Sequence, residues 1–308
     1  MSKAKKIIVS EDKTGQRLDL FLSRQDLGLS RSRIQNLIEN SKIKIDGHID
    51  AKSHYKIKHG NIISIEIPEP EKVNVLPEKI ALEILYEDDH LIVIDKPAGM
   101  VTHPAKGNYS GTLVNALLHH CKNLSGINGY LRPGIVHRLD KDTSGVMVAA
   151  KDDIAHSGLV KQWQERTIIK KYIALAKGKV EKNELTVEAS IGRHRARRKK
   201  MAVSLTCGKN AISKIKVLEK FNKATLLEVK IKTGRTHQIR VHLSYLKHPV
   251  IGDVQYGKKS ETINRQALHA AVLGFVHPVT NKYMEFSSPL PDDIKYAIEF
   301  FRSKILSK

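Results

Sequence analysis

The sequence is poor in cysteine. Its 308 residues include two cysteines, Cys121 and Cys207, which lie far apart and form no CxxC pair. This spacing disfavours a disulfide framework and a structural zinc site, and it fits a reducing compartment. The chain also lacks an apolar run of membrane-spanning length, and residues 1–6 lack the apolar core of a signal peptide. We therefore expect a soluble, cytoplasmic protein.

Acidic residues are also scarce relative to basic ones. Asp and Glu total 32 against 53 Lys and Arg, which gives a formal net charge of +21. The 41% of hydrophobic residues is enough for a packed core and argues against general disorder. A polyanion is the natural partner of so basic a surface. An anionic membrane is the alternative, but the sequence contains no basic amphipathic helix with large apolar residues opposite the charges.

Fingerprints of cofactor and metal sites are missing as well. The sequence contains no Walker loop and no dinucleotide-binding fingerprint. His237 and His242 are spaced i, i+5, whereas the helical HExxH zinc motif requires i, i+4. We expect neither a bound metal nor a cofactor.

Near the N-terminus the sequence predicts two short helices followed by strands. Leu18, Phe21 and Leu22 follow helical spacing, and Ser30 has the character of an N-cap for a second helix. Residues 42–47 alternate basic and apolar side chains before an Asp-Gly turn, and residues 61–67 form another strand-like run.

This N-terminal pattern resembles the S4 RNA-binding module. The resemblance lies in residues 17–19, 30–38 and 45–47. It implies an RNA-contacting basic face, which maps to four side chains of this chain: Arg31, Arg33, Lys42 and Lys44.

The chain is long enough for two domains. Pro68, Pro70 and Pro77 interrupt regular structure after the S4-like pattern and indicate a linker. We place the S4-like domain at residues 14–73, the linker at 74–80 and a second domain at 81–308.

The second domain is predicted to be α+β with a central mixed, mostly antiparallel sheet. Strand-like runs follow one another with interspersed helices, and a clean βαβ alternation is absent. A hairpin is expected over residues 82–95, a helix over 111–120 and a buried strand over 145–150.

The most informative segment is residues 134–145, GIVHRLDKDTSG. An apolar run enters a polar loop and another apolar run leaves it, so Asp140 is expected on a loop held at both ends by the sheet. A single aspartate in a loop is weak evidence of catalysis, because the same residues are common in turns.

As a whole string, this segment resembles the signature of the RluA family of pseudouridine synthases. The likeness continues, in the same order, in residues 86–88, 94–99, 103–104, 170–172, 232–242, 248–253 and 256–257. With the S4-like module in front, it covers nearly the whole chain. It implies the pseudouridine synthase fold and an enzyme that isomerises uridines in 23S ribosomal RNA.

The resemblance also implies residue roles. Asp140 corresponds to the essential aspartate, Tyr172 to the tyrosine that packs on the target base, and Arg240 to the ion-pair partner of the aspartate. Arg138 corresponds to the arginine that fills the gap left by the flipped base, with the neighbouring His137 and Leu139 also assigned to substrate binding.

These residue types suit the reaction. An isomerisation from N–C to C–C glycosidic linkage requires no redox cofactor or external energy source. The carboxylate could attack C1′ of the ribose or act as a base in a glycal route, and the sequence leaves both open. The target uridine must leave its stack to be reached, and Arg138 and Tyr172 offer flat surfaces to the RNA.

A second basic segment spans residues 193–201 and contains no acidic residue. We interpret it as a backbone contact for RNA. Its basic residues are Arg193, Arg195, Arg197, Arg198, Lys199 and Lys200.

Two alternatives remain open. The chain could modify transfer RNA or other sites of 23S rRNA, or it could be a non-catalytic RNA-binding protein of ribosome assembly. In the preferred interpretation, the partner is 23S rRNA within the assembling large subunit, the enzyme is a monomer, and it needs no protein partner and no membrane.

Overall fold

The computed structural model describes residues 3–25, 27, 31–49, 52–67, 75–104, 107–121, 134–194, 196–197, 200–204 and 208–306. The chain divides into two compact units, Met1–Lys72 and Val73–Lys308. None of the helices within the described ranges is long and apolar enough to cross a membrane.

The first unit packs two helices on a three-stranded antiparallel sheet. Strand β3 is central, between β1 and β2. The predicted helical spacing is confirmed, because Leu18, Phe21 and Leu22 are all buried in the core of the unit. The sheet also includes a strand that precedes residue 14. The elements are β1 (Lys3–Ile8), a 3-10 turn (Glu11–Lys13), α1 (Leu18–Ser23), α2 (Arg31–Glu39), β2 (Ile43–Ile45) and β3 (Ile62–Ile67).

A buried carboxylate ties the two helices of this unit together. Asp19 on α1 is fully buried. Its oxygens accept hydrogen bonds from Arg17 Nε at 3.0 Å and Arg17 Nη2 at 3.1 Å, and from Gln35 Nε2 of α2 at 2.7 Å. A charge removed from water requires such partners.

The second unit is built on one long mixed sheet. Its strand order is β4-β5-β6-β13-β7-β12-β11-β8, with β14 paired to β13. Among these strands β6 and β13 run parallel, and the other pairs are antiparallel, as predicted. The strands of this sheet are β4 (Glu83–Glu87), β5 (Leu91–Lys96), β6 (Ser144–Ala150), β7 (Ile169–Lys177), β8 (Glu184–Glu188), β11 (Ile212–Lys220), β12 (Ala224–Ile231), β13 (Leu268–Val276) and β14 (Tyr283–Ser287). A separate two-stranded sheet consists of β9 (Ile191–Arg193) and β10 (Met201–Val203).

Helices cover this sheet on both faces. The helices are α3 (Leu113–His120), α4 (Asp153–Glu165), α5 (Gln238–Tyr245) and α6 (Asp292–Leu306). Alternation along β5 sends Ile92 and Ile94 into the core shared with α3, α5 and α6, and Leu91 and Val93 into the core under α4. Because both faces are covered, β5 and β6 are continuous apolar runs, as expected for strands buried on two sides.

The described part of the predicted linker is attached to α3. Glu78 N donates to Asn115 O at 3.0 Å, and Asn115 Nδ2 donates to Leu76 O at 2.8 Å. Asn115 also completes a capping box with Thr112 at the start of α3, which satisfies backbone donors at the helix end. Residue 74 lies outside the described residues.

Candidate active site

The loop that carries Asp140 is fixed through its backbone. Thr143 N donates to Asp140 O at 3.1 Å, and Thr102 Oγ1 donates to Leu139 O at 3.1 Å. Lys96, fully buried, donates from Nζ to Pro97 O at 2.6 Å, Met100 O at 2.9 Å and Lys141 O at 3.2 Å. One ammonium therefore joins the loop after β5 to the loop before β6.

Gly145 sets the exit from this loop. Its φ is +119°, and a Cβ at this position would lie 2.2 Å from Ala270 O. Only glycine fits such a backbone and such an approach. The approach allows β6 to start in parallel register with β13, where Ser144 pairs with His269. The Asp140 loop is thus positioned by the centre of the sheet.

Arg240, in the first turns of α5, connects two aspartates. Its Nη1 donates to Asp140 Oδ2 at 2.9 Å, its Nε to Asp253 Oδ2 at 2.6 Å and its Nη2 to Asp253 Oδ1 at 2.9 Å. Asp253 is fully buried, whereas the Asp140 side chain is 19% exposed. The bidentate pair with Asp253 holds the guanidinium in place, and the remaining nitrogen of Arg240, Nη1, orients Asp140.

The charge of Arg240 is secured by its partners. Burial acts to lower the pKa of Arg240, but the hydrogen bond and charge of Asp253, together with Asp140, raise it above its ordinary value. The ring of Tyr256 lies under the guanidinium, 5.1 Å from centroid to Cζ. Arg240 therefore stays cationic beside Asp140 under all ordinary conditions.

His237, which the sequence did not predict as a site residue, faces the same carboxylate. His237 Nε2 lies 3.8 Å from Asp140 Oδ1, and its Nδ1 lies 2.8 Å from the hydroxyl of Tyr256. Burial lowers the pKa of His237, although the charge of Asp140 partly opposes this, so the imidazole is neutral at pH 7. Its position within the string 232–242 was the signal that could have identified it.

Tyr172 closes another side of the site. It lies on β7, is buried, and belongs to the core that includes Leu139. Burial, and secondarily the charge of Asp140, raise the pKa of Tyr172, so it remains a neutral phenol. A ring so placed offers a flat apolar surface next to the carboxylate.

These side chains line one cleft of about 540 Å³. Four predicted site residues lie in it with Asp140: Arg138, Leu139, Tyr172 and Arg240. Arg138 is exposed. His137 is directed elsewhere: its Nε2 accepts from Val148 N at 3.0 Å, and its ring stacks on Trp163 with centroids 4.6 Å apart. His137 therefore lines a neighbouring cavity instead.

The predicted basic segment forms the hairpin β9–β10, which is attached to the site through Tyr256. Met201 N donates to the Tyr256 hydroxyl at 2.9 Å, and Lys200 Nζ donates to Gln255 O. Arg193 and Arg197 are exposed on this hairpin. Arg195, Arg198 and Lys199 lie outside the described residues.

In the first unit, two of the four predicted RNA contacts can be placed. Lys44 is exposed on β2, and Lys42 pairs with Glu66 through Nζ and Oε1 at 2.9 Å. Arg31 and Arg33 lie at the start of α2, but their side chains are outside the described part of the structure.

The described residues contain no group of three or more His, Cys, Asp or Glu side chains placed to hold a metal ion. The chemistry available at this cleft is thus that of an oriented carboxylate, a neutral imidazole, a phenol and a guanidinium in a partly buried cleft.

Comparison with known proteins identifies the family of the chain. Residues 90–245 match the model of a family described as RNA pseudouridylate synthase, and residues 16–63 match the S4 domain. The chain is 46% identical over 297 residues to the protein named uncharacterized RNA pseudouridine synthase YlyB of Bacillus subtilis, covering 96% of this chain and 97% of that protein. It is 43% identical over 301 residues to ribosomal large subunit pseudouridine synthase D of Zymomonas mobilis, covering 94% and 95%.

A solved structure shows the same architecture. Human RNA pseudouridylate synthase domain containing 1 superposes with a TM-score of 0.57 at 25% identity, covering 77% of this chain and 98% of that one. The chain belongs to the family of RNA pseudouridylate synthases and carries an S4 domain before its catalytic unit.

Proposed function

We propose that this enzyme converts specific uridines of 23S large-subunit ribosomal RNA to pseudouridine, with Asp140 as its catalytic residue. One observation carries the assignment of Asp140. Arg240 holds one carboxylate oxygen of Asp140, while no donor of the described residues lies within hydrogen-bond distance of the other oxygen, Oδ1, in the cleft.

That oxygen can begin the reaction in two ways. It can attack C1′ of the ribose as a nucleophile, or it can take a proton from the ribose in a glycal route. Both routes need a carboxylate whose direction is fixed, and the bidentate anchoring of Arg240 on Asp253 supplies this rigidity. Either route breaks the N1–C1′ bond and frees the uracil, which rotates within the cleft and bonds to C1′ through its C5. In the nucleophilic route this displaces the Asp140 carboxylate, and in the glycal route the ribose recovers its proton. In both routes C5 then loses its proton and N1 gains one, which completes the isomerisation.

The cleft can hold a uridine only after the base leaves its stack. Extrusion costs a few kcal/mol, which contacts to the rest of the RNA must offset. Tyr172 presents a ring to the extruded base, and the exposed Arg138 can occupy the vacated position with its planar guanidinium. The S4 domain and the β9–β10 hairpin supply positive charge for the RNA backbone.

Two facts support ribosomal RNA as the substrate. A relative that shares 43% of its residues with this chain bears the name ribosomal large subunit pseudouridine synthase D. The net charge of +21 and the S4 domain also suit a large folded RNA.

The test is to incubate the purified protein with unmodified 23S rRNA and to map pseudouridine by carbodiimide labelling and primer extension. Asp140→Asn is run in parallel, and Asp142→Asn is the matched control. Asp142 carries the same charge in the same loop but does not line the cleft. We expect new stops with the wild type and Asp142→Asn, and a rate at least about 10³-fold lower with Asp140→Asn.

The outcomes separate the parts of the proposal. Activity that survives in Asp140→Asn would overturn the catalytic assignment. Stops that appear only on transfer RNA would replace ribosomal RNA as the substrate and leave the role of Asp140 intact. Stops that appear only on assembling subunits would support the proposal and define the substrate as a particle.

A further inference from the structure

A second cavity adjoins the catalytic cleft and takes no part in the proposed chemistry. It is open to solvent, spans about 1080 Å³ including that open space, and shares Arg138 and Tyr172 with the cleft. Its described lining includes five basic side chains and no acidic one. The five are Arg138, Arg166, Lys170, Lys232 and Arg235.

Lys170 is the unusual member of this set. It lies on β7 two residues before Tyr172, so alternation places both side chains on the same face of the sheet, about 7 Å apart along the strand. Lys170 is only 6% exposed, and no oxygen of the described residues accepts a hydrogen bond from its ammonium. The neighbouring ionisable groups, Arg166 and His137, offer it no negative charge.

The side chain of Lys170 is largely buried, and an ammonium so placed without an anionic partner among the described residues is costly. Burial, together with the charge of Arg166, lowers the pKa of Lys170 to about 8. Within the described part of the chain, the ring of Trp163 offers a favourable contact, with its centroid 5.9 Å from Nζ. An anion in the cavity would supply the missing partner.

The wall beside Lys170 is aromatic. Trp163 of α4 stacks on His137, with ring centroids 4.6 Å apart and planes inclined by 28°. Val148 N holds His137 by a hydrogen bond to Nε2, and burial lowers the pKa of His137 to about 3, so the ring is a neutral surface. A cation next to stacked aromatic rings is the combination that binds the phosphate and the flat portion of a nucleotide.

We propose that this cavity binds a backbone phosphate of the substrate RNA close to the target uridine, with Lys170 as the principal ligand and Trp163 as the wall against which the attached nucleoside packs. The inference rests on the proposed function, since its ligand belongs to the RNA whose uridine enters the cleft. The distance between Lys170 and Tyr172 sets the phosphate within one or two nucleotides of that uridine.

The first test measures RNA affinity against salt concentration in an Asp140→Asn background, which prevents turnover. The probe is the unmodified 23S rRNA transcript. Lys170→Met removes the charge and keeps the length, Lys170→Arg keeps the charge, and Lys171→Met is the control because its side chain points to the opposite face of β7. Lys170→Met should reduce the slope of log K against log salt by about 0.7–0.9, the value of one phosphate contact. Lys170→Arg should retain it.

Lys171→Met reports the general effect of losing one positive charge, so the comparison isolates the buried ammonium. In the active background we expect Lys170→Met to raise KM about tenfold, as for a lost charge-assisted contact. Its kcat should change much less than its KM. Thermal melting of both variants checks the fold, which should survive because Met replaces an unpaired buried charge.

The second test uses the single tryptophan of the chain. Because Trp163 lines this cavity, its emission on excitation at the red edge reports ligand binding there directly. Titration of the Asp140→Asn protein with the transcript should change the emission, and Lys170→Met should shift the transition to higher RNA concentration. Affinity should also weaken between pH 7 and 9 with Lys170 and not with Lys170→Arg, since the surrounding arginines keep their charge.

Equal salt slopes, KM values and emission changes for Lys170→Met and Lys171→Met would overturn the phosphate site. Wild-type turnover in the same series decides the proposed function separately. If the wild type is active on 23S rRNA and Lys170→Met behaves like the control, the phosphate site is wrong and the proposed function stands. If the wild type is inactive on 23S rRNA but the slope of log K against log salt still depends on Lys170, the phosphate site stands and only the proposed target RNA is wrong.

Discussion

The two units each contain an arginine–aspartate system, and the systems differ in what they leave unsatisfied. In the S4 unit, Arg17 and Gln35 donate three hydrogen bonds to the fully buried Asp19. In the catalytic unit, Arg240 gives two bonds to the buried Asp253 and one to the partly exposed Asp140. The same residue pair thus forms a closed structural ion pair in one unit and, under the proposed function, an open reactive group in the other.

The difference lies in how the donors are distributed. Asp19 and Asp253 each receive at least three donors, so neither carboxylate has capacity left for a ligand. Asp140 receives one strong donor and faces the neutral His237 at 3.8 Å. An aspartate becomes available for chemistry when its partner is anchored elsewhere, and Asp253 performs that anchoring.

The largest expected effect on stability comes from removing Arg240, the cation that Asp253 and Asp140 share. Arg240→Met would leave the buried Asp253 without its ion-pair partner and Asp140 without its orienting bond. We expect a loss of about 3–5 kcal/mol in the free energy of unfolding and a fall in kcat of at least about 10²-fold. Urea denaturation and single-turnover pseudouridine formation measure the two quantities.

Arg17→Met is the matched change in the S4 unit. Arg17 is 38% exposed and Asp19 keeps Gln35, so the cost should be about 1–3 kcal/mol with kcat unchanged. A kcat that falls equally in both variants would show that the two systems are not functionally distinct.

The grouping of several candidate site residues in one cleft was predictable, because these residues stand in contiguous strings. Asp140 and Arg240 lie 100 residues apart, and their ion pair followed from a resemblance that covers both strings. Helical periodicity correctly placed Leu18, Phe21 and Leu22 in a core. Local periodicity therefore predicts the type of secondary-structure element, and long motifs predict which residues meet in the cleft.

The remaining features depend on long-range geometry. The pairing of β6 with β13 joins residues about 125 positions apart, and no local pattern in the sequence encodes it. His137 stands in a loop without periodicity, so its direction away from the cleft was not readable. Lys96 and Lys170 carry charge and are nevertheless buried. For Lys170, strand alternation with Tyr172 was a usable signal, whereas the three carbonyls around Lys96 come together only in the fold.

The two units should also differ in how strongly low pH destabilises them. Burial lowers the pKa values of His137, His156, His242 and His269 in the catalytic unit, whereas the described histidines of the S4 unit, His48, His54 and His59, are exposed. A histidine with a lowered pKa contributes stability above its unfolded value of about 6.5, and that stability is lost as the pH falls below it. The catalytic unit should therefore be the more acid-sensitive one.

For His137, whose pKa is lowered to about 3, linkage gives about 1.4 kcal/mol per pH unit below about 6.5. The loss at pH 5 is then about 2 kcal/mol from this residue alone. Urea unfolding followed by Trp163 fluorescence at pH 7 and pH 5 measures it, because Trp163 lies in the catalytic unit. His137→Gln should remove that share of the pH dependence, and an unchanged difference would contradict the assignment to His137.

The smallest expected effect on stability comes from Asp19→Asn, which is compared with the same substitution at Asp140. Asp19→Asn keeps one oxygen as an acceptor but places an amide N–H where the second carboxylate oxygen accepted hydrogen bonds. The substitution should lower the free energy of unfolding of the S4 unit by on the order of 1 kcal/mol. Hydrogen exchange of α1 and α2 in the full-length protein measures this cost, and kcat should stay the same. Asp140→Asn should give the reverse, with exchange unchanged and turnover lost. If Asp19→Asn instead reduces kcat while α1 and α2 remain protected from hydrogen exchange, the S4 unit contributes to the chemical step. The contrast between a structural Asp19 and a reactive Asp140 would then be wrong.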